Sequence, residues 1–292
     1  MIQDRNIRNF NQIEEEIKKF KELHVQNIDI HELYEAIGHL IRGHTRTPYT
    51  MHPTGLIRAR LNEKKIDYNN INQLWYPDWE KINIKNHEYG RCNDKGESMF
   101  YCSTEFDSTV CELRPNAGEL ITIMNCKPRF EKLNIKVQPI GINYLQELTN
   151  GYNNVFKHHF IKQKFILNDI AINKRLDSFL NESFHEIIDE KDNWKYKVSI
   201  AITKILIHSN INYDGVLYPS ISTNMKGANY ALKPDFVDKN ILVETIGMYE
   251  VIEAEKDKYY KIKLVKIPER ISPVIEWYSI HPHEQPSFSI NF

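Results

Sequence analysis

Four polar residues in the sequence stand where their side chains could take part in chemistry. Arg58 lies in the short apolar segment LIRAR, and Arg91 lies in the turn-forming segment Gly-Arg-Cys-Asn. Glu112 has apolar neighbours, and Ser220 follows a Tyr-Pro pair after a short apolar run. A guanidinium group matches phosphate oxygens, and a carboxylate stabilises nearby positive charge. These residue types suit the binding of a phosphate group and chemistry at a centre of positive charge.

Each of these residues also has a purely structural interpretation. An arginine on a strand commonly forms an ion pair, and a glutamate between apolar neighbours commonly pairs with a cation or faces solvent. A serine after a proline is common in turns, and Tyr101, in an apolar run, is most simply a core aromatic residue. No single position identifies a function, so the residues have to be interpreted as a set.

Well-known catalytic and cofactor-binding motifs are missing from the sequence. It has neither a glycine-rich dinucleotide-binding motif nor a phosphate-binding loop, and neither a nucleophile elbow nor a complete H-E-x-x-H motif. The cysteines form no C-x-x-C pair, so we expect no metal site. We expect all four to be buried apolar residues: Cys92, Cys102, Cys111 and Cys126.

Composition limits the class of protein. A chain of 292 residues corresponds to one large domain, or to one domain with an accessory segment. Its net charge of −1 argues against a protein that binds nucleic acid or a membrane surface. No segment approaches the ~20 apolar residues of a membrane span, and the charged N-terminus lacks an apolar signal core. We therefore expect a cytoplasmic protein with no membrane and no direct nucleic-acid contacts.

The N-terminal region has the apolar spacing of two amphipathic helices. Between residues 11 and 42, apolar residues recur every three or four positions. They are Ile13, Ile17, Phe20 and Leu23 in the first helix, and Ile30, Leu33, Ile37 and Leu40 in the second. We predict an N-terminal helical extension over residues 1–48 and a second domain over residues 49–292.

The rest of the chain mixes strands and helices without regular β-α-β alternation, which predicts an α+β fold. Short strands are expected around residues 56–60, 99–102, 120–124, 216–218 and 230–232, and an antiparallel hairpin around 248–267. Residues 143–190 are expected to be mostly helical. A further helix is expected in NWKYKVSIAITKILIHSN, with Asn193 as its N-cap. Its apolar face is expected to consist of Trp194, Val198, Ala201, Ile202, Ile205 and Leu206.

The segments LIRAR, GRCNDKGESMFYCSTEFDSTVCELRP, DGVLYPSI and GANYAL together resemble the RES domain family, which is named for an arginine, a glutamate and a serine. They occur in the family's order over roughly residues 55–235 and include both turn glycines. Cys111 stands where the family commonly has alanine, and Cys102 where it usually has an aliphatic residue. The N-terminal helices and residues 143–190 fall outside the motifs, so the resemblance says little about them.

The resemblance carries over residue by residue. Arg58 corresponds to the family's first arginine, and Arg60 is the alternative if the register is shifted by two. The other matched residues are Arg91 in the glycine-arginine turn, Tyr101, Glu112, Ser220 after Tyr-Pro, and Asn229 in the last motif.

RES proteins resemble ADP-ribosyltransferase toxins in fold, which implies a mixed β core with surrounding helices. They are bacterial toxins that destroy NAD+ by phosphorolysis or hydrolysis of its nicotinamide–ribose bond, and a helix-turn-helix antitoxin usually restrains them. The resemblance therefore implies NAD+ as a substrate, inorganic phosphate or water as the acceptor, and no prosthetic group. The expected partner is an inhibitory helix-turn-helix antitoxin or, as the alternative, a larger regulatory assembly.

The matched residue types suit this chemistry. The resemblance implies that Arg58 and Arg91 hold the pyrophosphate, and that Tyr101 stacks on nicotinamide. Glu112, held in a dry wall, would stabilise an oxocarbenium-like ribose. Ser220 would bond the ribose, the amide or a phosphate, and Asn229 would also contact NAD+. For phosphorolysis, a second anion pocket could come from Arg60, Lys226 or Arg91.

Two other functions remain open at the level of sequence. One is transfer of ADP-ribose to a protein or small acceptor, which would use the same NAD+ pocket. The other is a non-catalytic module that binds NAD+ or a partner, with the N-terminal helices as the interaction surface. The intact set of arginine, glutamate and serine argues against this second alternative.

Overall fold

The computed structural model describes residues 8–44, 48–78, 88–141, 167–186, 188, 190–207, 212–223, 227–256 and 258–291. Part of the predicted helical segment 143–190 and the candidate anion ligand Lys226 lie outside these residues. Within the described ranges, the chain forms six α-helices and an 11-stranded sheet. No helix in them is long and apolar enough to cross a membrane.

Two helices open the fold, α1 (Phe10–Lys21) and α2 (Ile30–Leu40), as the apolar spacing predicts. Asn9 and Gln12 form a capping box at the start of α1, and Asp29 accepts a hydrogen bond from the backbone of His31 at the start of α2. Six residues of the predicted stripe are buried, Ile30 is partly buried, and Leu23, which lies beyond the end of α1, is 40% exposed. The two helices share one apolar core with sheet residues such as Val216.

The sheet is mixed and mostly antiparallel. Its strands are β1 (Tyr49–Met51), β2 (Leu56–Leu61), β3 (Phe100–Ser103), β4 (Leu120–Pro128), β5 (Ile135–Pro139), β6 (Gly215–Pro219), β7 (Ala228–Leu232), β8 (Ile241–Glu255), β9 (Tyr259–Pro268), β10 (Trp277–Ser279) and β11 (Ser287–Asn291). They lie in the order β1-β5-β6-β7-β3-β2-β4-β8-β9-β10, with β11 also pairing with β9. β5 and β6 pair in parallel, and the other pairs are antiparallel. Mixed α and β structure is thereby confirmed, as are the short strands and the β8–β9 hairpin.

The sheet splits between β2 and β3. β3 pairs with β7 along its whole length, and β2 pairs with β4 along its whole length. Between β2 and β3, both fully described, one residue pair is in register, Ile57 with Ser103. The two halves of the sheet therefore diverge at this point and leave an opening between the two strands.

The remaining helices are α3 (Phe106–Leu113), α4 (Leu167–His185), α5 (Tyr196–Ile207) and α6 (Pro234–Asn240). α1, α2, α4 and α5 supply most of the core that covers one face of β6 and β7. On the other half of the sheet, α3 packs through Val110 and Cys111 on Ile121 and Ile123. α3 lies on the same face of the sheet as α4 and α5. Ile57, which packs near α3, is directly opposite Ser103 on β3. Tyr101, two residues from Ser103 and so on the same face, packs against the core that α4 and α5 form. A gap between these helices overlies the split.

Two details of the predicted helices differ from expectation. Asn193 is not an N-cap, because it lies inside a 3-10 segment, Glu190–Lys195, that precedes α5. The apolar face predicted for α5 is confirmed by the burial of Ala201, Ile202 and Leu206. All four cysteines are free and buried, as expected.

Candidate functional site

A cleft of about 250 Å³ lies above the split between β2 and β3. Its floor is formed by these two strands, one side by α3, and the other by the Gly90–Arg91 turn and the start of α5. The structure brings five of the six predicted site residues to this cleft: Arg58, Arg91, Tyr101, Glu112 and Asn229. The sixth, Ser220, lies directly behind Glu112.

Glu112 reaches the cleft from the last turn of α3. The helix starts where β3 ends, and the Ser103 hydroxyl accepts a hydrogen bond from the backbone of Glu105. It ends at Arg114, whose left-handed backbone (φ 45°) breaks the helical path. With Val110 and Cys111 packed towards the sheet, the adjacent Glu112 points sideways into the cleft.

Two buried donors hold the Glu112 carboxylate. Its Oε1 accepts hydrogen bonds from Ser220 Oγ at 2.6 Å and from Asn229 Nδ2 at 2.7 Å. Ser220 is fully buried (0% exposed) and Asn229 nearly so. Glu112 itself is an exposed residue, so the expected dry wall around it is wrong: the donors are buried, and the carboxylate faces an open cleft.

The hairpin of β6 and β7 sets the positions of these two donors. Tyr218 pairs with Asn229 across the hairpin, and the backbone of Ser220 donates to the carbonyl of Gly227. A side chain at Gly227 would overlap the hydroxyl of Ser108 on α3. Glycine therefore allows the hairpin to lie against α3, and this close approach places both donors within reach of the carboxylate.

Arg58 lies beneath the floor of the cleft rather than above it. Strand alternation turns it towards the face opposite Ile57, where its guanidinium group lies 5.3 Å from the centre of the Phe100 ring. It donates to the carbonyls of Tyr101 (2.8 Å), Leu74 (2.8 Å) and Trp75 (3.2 Å). These bonds use three of its five N–H groups, so at most two remain for a ligand. Arg58 thus bridges β2 and β3 where their own pairing has stopped.

Burial disfavours the charged form of Arg58. The side chain is 8% exposed, and burial together with the nearby charge of Arg60 lowers the pKa of Arg58 to about 10. Arg60, the alternative candidate, donates to the carbonyl of Gln73 and lies near the Tyr68 ring. It is not among the described residues that line the cleft. Of the two arginines on β2, the structure brings only Arg58 to the cleft.

Arg91 links the cleft to the end of α4. Its guanidinium donates to the carbonyls of Phe184 (2.6 Å) and Glu186 (3.1 Å) and lies 5.4 Å from the centre of the Tyr196 ring. Free carbonyls at a helix C-terminus carry partial negative charge, which a cation stabilises. The two bonds leave at most three N–H groups for a ligand. Arg91 is therefore the cleft arginine with the larger remaining capacity to bind an anion.

The Gly90–Asn93 turn fixes Tyr101. The Tyr101 hydroxyl donates to Asn93 Oδ1 at 2.7 Å and accepts from the backbone of Cys92 at 2.8 Å. A side chain at Gly90 would overlap Asn93 and lie 2.8 Å from the Tyr101 hydroxyl, so the turn requires glycine. Burial raises the pKa of Tyr101 well above its usual range. The hydroxyl stays protonated, and the ring is a rigid part of the cleft wall.

Two further tyrosines line the cleft, and the motif comparison did not select them. Tyr218 is 6% exposed and packs on Phe184, and Tyr196 is the first residue of α5. The signal for Tyr218 was its place directly before Pro219 and Ser220. Tyr196 lies outside every motif, and only the packing of α5 brings it to the cleft.

Among the described residues, no group of three or more histidine, cysteine, aspartate or glutamate side chains could hold a metal ion. No protein-family model matches the chain, and a search of curated proteins finds no match. The resemblance to the RES domain family therefore depends on the four sequence segments alone.

Proposed function

We propose that this protein is an enzyme that cleaves the nicotinamide–ribose bond of NAD+. One observation carries the proposal: the Glu112 carboxylate is fixed by Ser220 and Asn229 in a cleft that also holds Arg91 and aromatic rings. These are the residue types that a sugar cation, a pyrophosphate and a flat ring require. We also propose, from the sequence resemblance, that the chain is a RES domain with an ADP-ribosyltransferase-like fold.

The proposed role of Glu112 is electrostatic. Cleavage of the bond builds positive charge on the ribose, and a fixed carboxylate stabilises that charge more in the transition state than in the ground state. Ser220 and Asn229 both bond to Oε1, and no described residue donates to Oε2. Oε2 is then the oxygen that faces the ribose. Because its partner oxygen is already held, the carboxylate needs no reorientation during the reaction.

Ser220 acts in this proposal as a positioning residue. Its side chain is 0% exposed, and its hydroxyl already donates to Glu112. It therefore holds the carboxylate from behind, in place of the direct contacts with ribose, amide or phosphate that the resemblance implies. Asn229 combines both roles, because it lines the cleft and bonds Glu112.

The size of the cleft indicates which part of NAD+ it would hold. Pockets for drug-sized ligands usually have volumes of about 300–1,000 Å³, and this cleft has about 250 Å³. That volume suits the nicotinamide and its ribose, with the rest of the dinucleotide outside. The pyrophosphate would then lie towards Arg91, the cleft arginine with more unused N–H groups.

Product analysis tests the proposal. The protein is incubated with NAD+ in buffers with and without inorganic phosphate, and a Glu112→Gln variant purified in the same way excludes contaminating activity. Nicotinamide with ADP-ribose 1″-phosphate means phosphorolysis, and nicotinamide with ADP-ribose means hydrolysis. A modified protein means ADP-ribosyl transfer, which would revise the proposed acceptor. Absence of turnover by the parent protein in both buffers would contradict the proposed activity.

An enzyme of this kind would deplete a cofactor that its own cell needs. The proposal therefore includes a toxic role and a partner that restrains it, for which the resemblance implies a helix-turn-helix antitoxin.

Arg91→Ala is expected to weaken NAD+ binding by about tenfold or more, because a charged hydrogen bond contributes roughly 1.5–3 kcal/mol. Arg91→Lys keeps the charge without the planar fork and should recover part of the affinity. Calorimetry measures the dissociation constant, and thermal unfolding of the same preparation measures stability. The alanine variant should also melt earlier, since Arg91 holds the end of α4.

Arg129→Ala is the control for Arg91. Arg129 also donates to a backbone carbonyl, that of Asp238, but does not line the cleft in the described structure. It should leave NAD+ affinity unchanged. If Arg91→Ala melts earlier but binds NAD+ as tightly as the parent protein, Arg91 only stabilises the helix end.

A further inference from the structure

Tyr196 has the features of a ligand-binding residue that none of the motifs contains. It lines the cleft from the first turn of α5, whereas Glu112 enters from α3 on the other side. The Tyr196 side chain is half-buried, and its hydroxyl makes no hydrogen bond with any residue in the described ranges. Tyrosine hydroxyls usually find a hydrogen-bond partner when they are buried, and the Tyr196 hydroxyl is not among the buried side-chain atoms that lack one. Tyr196 therefore lines the cleft with a hydroxyl that no described residue engages, and its ring is available to a ligand there.

The other candidate for stacking, Tyr101, is more constrained. Its hydroxyl is already paired with Asn93 and Cys92, and its carbonyl accepts from Arg58. The hydroxyl of Tyr101 thus stabilises the Gly90–Asn93 turn, and its carbonyl helps Arg58 to bridge β2 and β3. Tyr196 is held in a different way, by the guanidinium of Arg91 next to its ring. Tyr101 is therefore part of the scaffold, whereas Tyr196 is oriented by Arg91 but has no hydrogen bond from its hydroxyl to a described residue.

We propose that Tyr196 provides the aromatic surface on which the nicotinamide ring of NAD+ stacks. This inference rests on the proposed function and specifies its base-binding subsite. In NAD+ the ring is a flat pyridinium cation, and the negative face of a tyrosine ring attracts such a cation.

The charges around Tyr196 favour release of nicotinamide from the ribose. Arg91 lies next to Tyr196, and Glu112 lies across the cleft. Both charges act on Tyr196: after burial, which raises its pKa most, Arg91 lowers that pKa and Glu112 raises it. When the C–N bond breaks, its electron pair passes to the ring nitrogen, so nicotinamide becomes neutral and the ribose carbon becomes positive. Positive charge therefore moves away from Arg91 and towards Glu112 before phosphate or water attacks.

Binding of two ligands separates stacking from an indirect effect. ADP-ribose has the same phosphates and riboses as NAD+ but lacks nicotinamide. In a Glu112→Gln background, which is expected to slow turnover about 10²-fold or more, Tyr196→Leu should weaken NAD+ binding about tenfold, as expected for loss of one stacked base. ADP-ribose binding should change less than about twofold. Tyr196→Phe keeps the flat ring and should bind NAD+ within about threefold of the background protein, where the difference is the lost hydroxyl.

The possible results all bear on the inference. Equal weakening of both ligands would mean that Tyr196 acts by positioning Arg91, and unchanged NAD+ binding would exclude any contact; either result overturns it. Tyr196→Gln repeats the test with a second residue that lacks a ring if the leucine variant does not fold. Tyr278→Leu, at an exposed tyrosine on β10, is the control and should change neither constant. If the background protein binds neither ligand and the parent protein does not bind ADP-ribose, the proposed function fails and this inference fails with it.

Discussion

Replacing Glu112 with glutamine is expected to lower NAD+ turnover by about 10²-fold or more while changing NAD+ affinity little. Glutamine can keep its Oε1 on Ser220 and Asn229, the two donors that hold the carboxylate. Its NH2 group then replaces Oε2, so a hydrogen-bond donor faces the ribose where the anion stood. The change therefore removes stabilisation of the developing cation and preserves the hydrogen bonds that hold the side chain.

Three measurements on one preparation test this prediction: the single-turnover rate, the NAD+ dissociation constant and the melting temperature. Glu119→Gln is a matched control, because Glu119 also accepts two hydrogen bonds, both from Asn116, but does not line the cleft in the described structure. It should keep the turnover and NAD+ affinity of the parent protein. Its melting temperature should fall slightly, because Asn116 bonds to both carboxylate oxygens and glutamine can keep only one of these bonds. A Glu112→Gln variant that melts earlier yet turns over NAD+ normally would make Glu112 a structural residue and remove the basis of the proposed mechanism.

The sequence predicted those elements whose apolar periodicity is set by one buried face. The stripes of α1, α2 and α5 are of this kind, because all three helices pack in one apolar cluster. The alternation of β8 and β9 likewise brings Val251 and Ile262 into another cluster. The motif order also predicted which residues meet at the cleft. These segments are far apart in sequence, so their order along a family pattern carried information that local spacing does not.

The environment of Glu112 could not be predicted from its neighbours. Val110, Cys111 and Leu113 are apolar, which suggested a dry wall. The pattern did not predict α3, and in a helix adjacent residues point about 100° apart, so neighbours in sequence do not share an environment. Glu112 consequently faces the cleft while Val110 and Cys111 are buried under the same helix.

The sequence also could not predict how deeply each site residue is buried below the surface of the cleft. Ser220 and Asn229 stand in similar turn-like segments, yet one is completely buried and the other lines the cleft. The difference arises from how the β6–β7 hairpin lies against α3, a long-range contact that depends on Gly227. The role of Arg58 required knowledge of the split in the sheet, which follows from strand pairing over the whole chain.

Arg58→Ala is expected to destabilise the fold by ~3 kcal/mol or more. The side chain donates to three carbonyls, those of Leu74, Trp75 and Tyr101, and its removal leaves carbonyls without a partner in a buried region. Losses of that size come from broken buried networks rather than from surface changes. Arg58→Lys should not restore stability, because one ammonium group cannot reproduce the planar fork that reaches carbonyls on separate segments.

Arg60→Ala provides the matched comparison for Arg58. It removes an arginine two residues further along the same face of β2, where the side chain is half-buried and donates to the carbonyl of Gln73. This variant should lose about 1 kcal/mol or less. Denaturant unfolding of both variants, with NAD+ affinity measured below the transition, separates scaffold from ligand contact. The opposite result is that Arg58→Ala is as stable as the parent protein and binds NAD+ more weakly. That result would mean that, in the parent protein, the Arg58 guanidinium leaves the carbonyls to hold the pyrophosphate, as the family resemblance implies. If the loss is in stability and native-state affinity falls less than about threefold, Arg58 holds the split of the sheet and Arg91 is the principal anion ligand of the site.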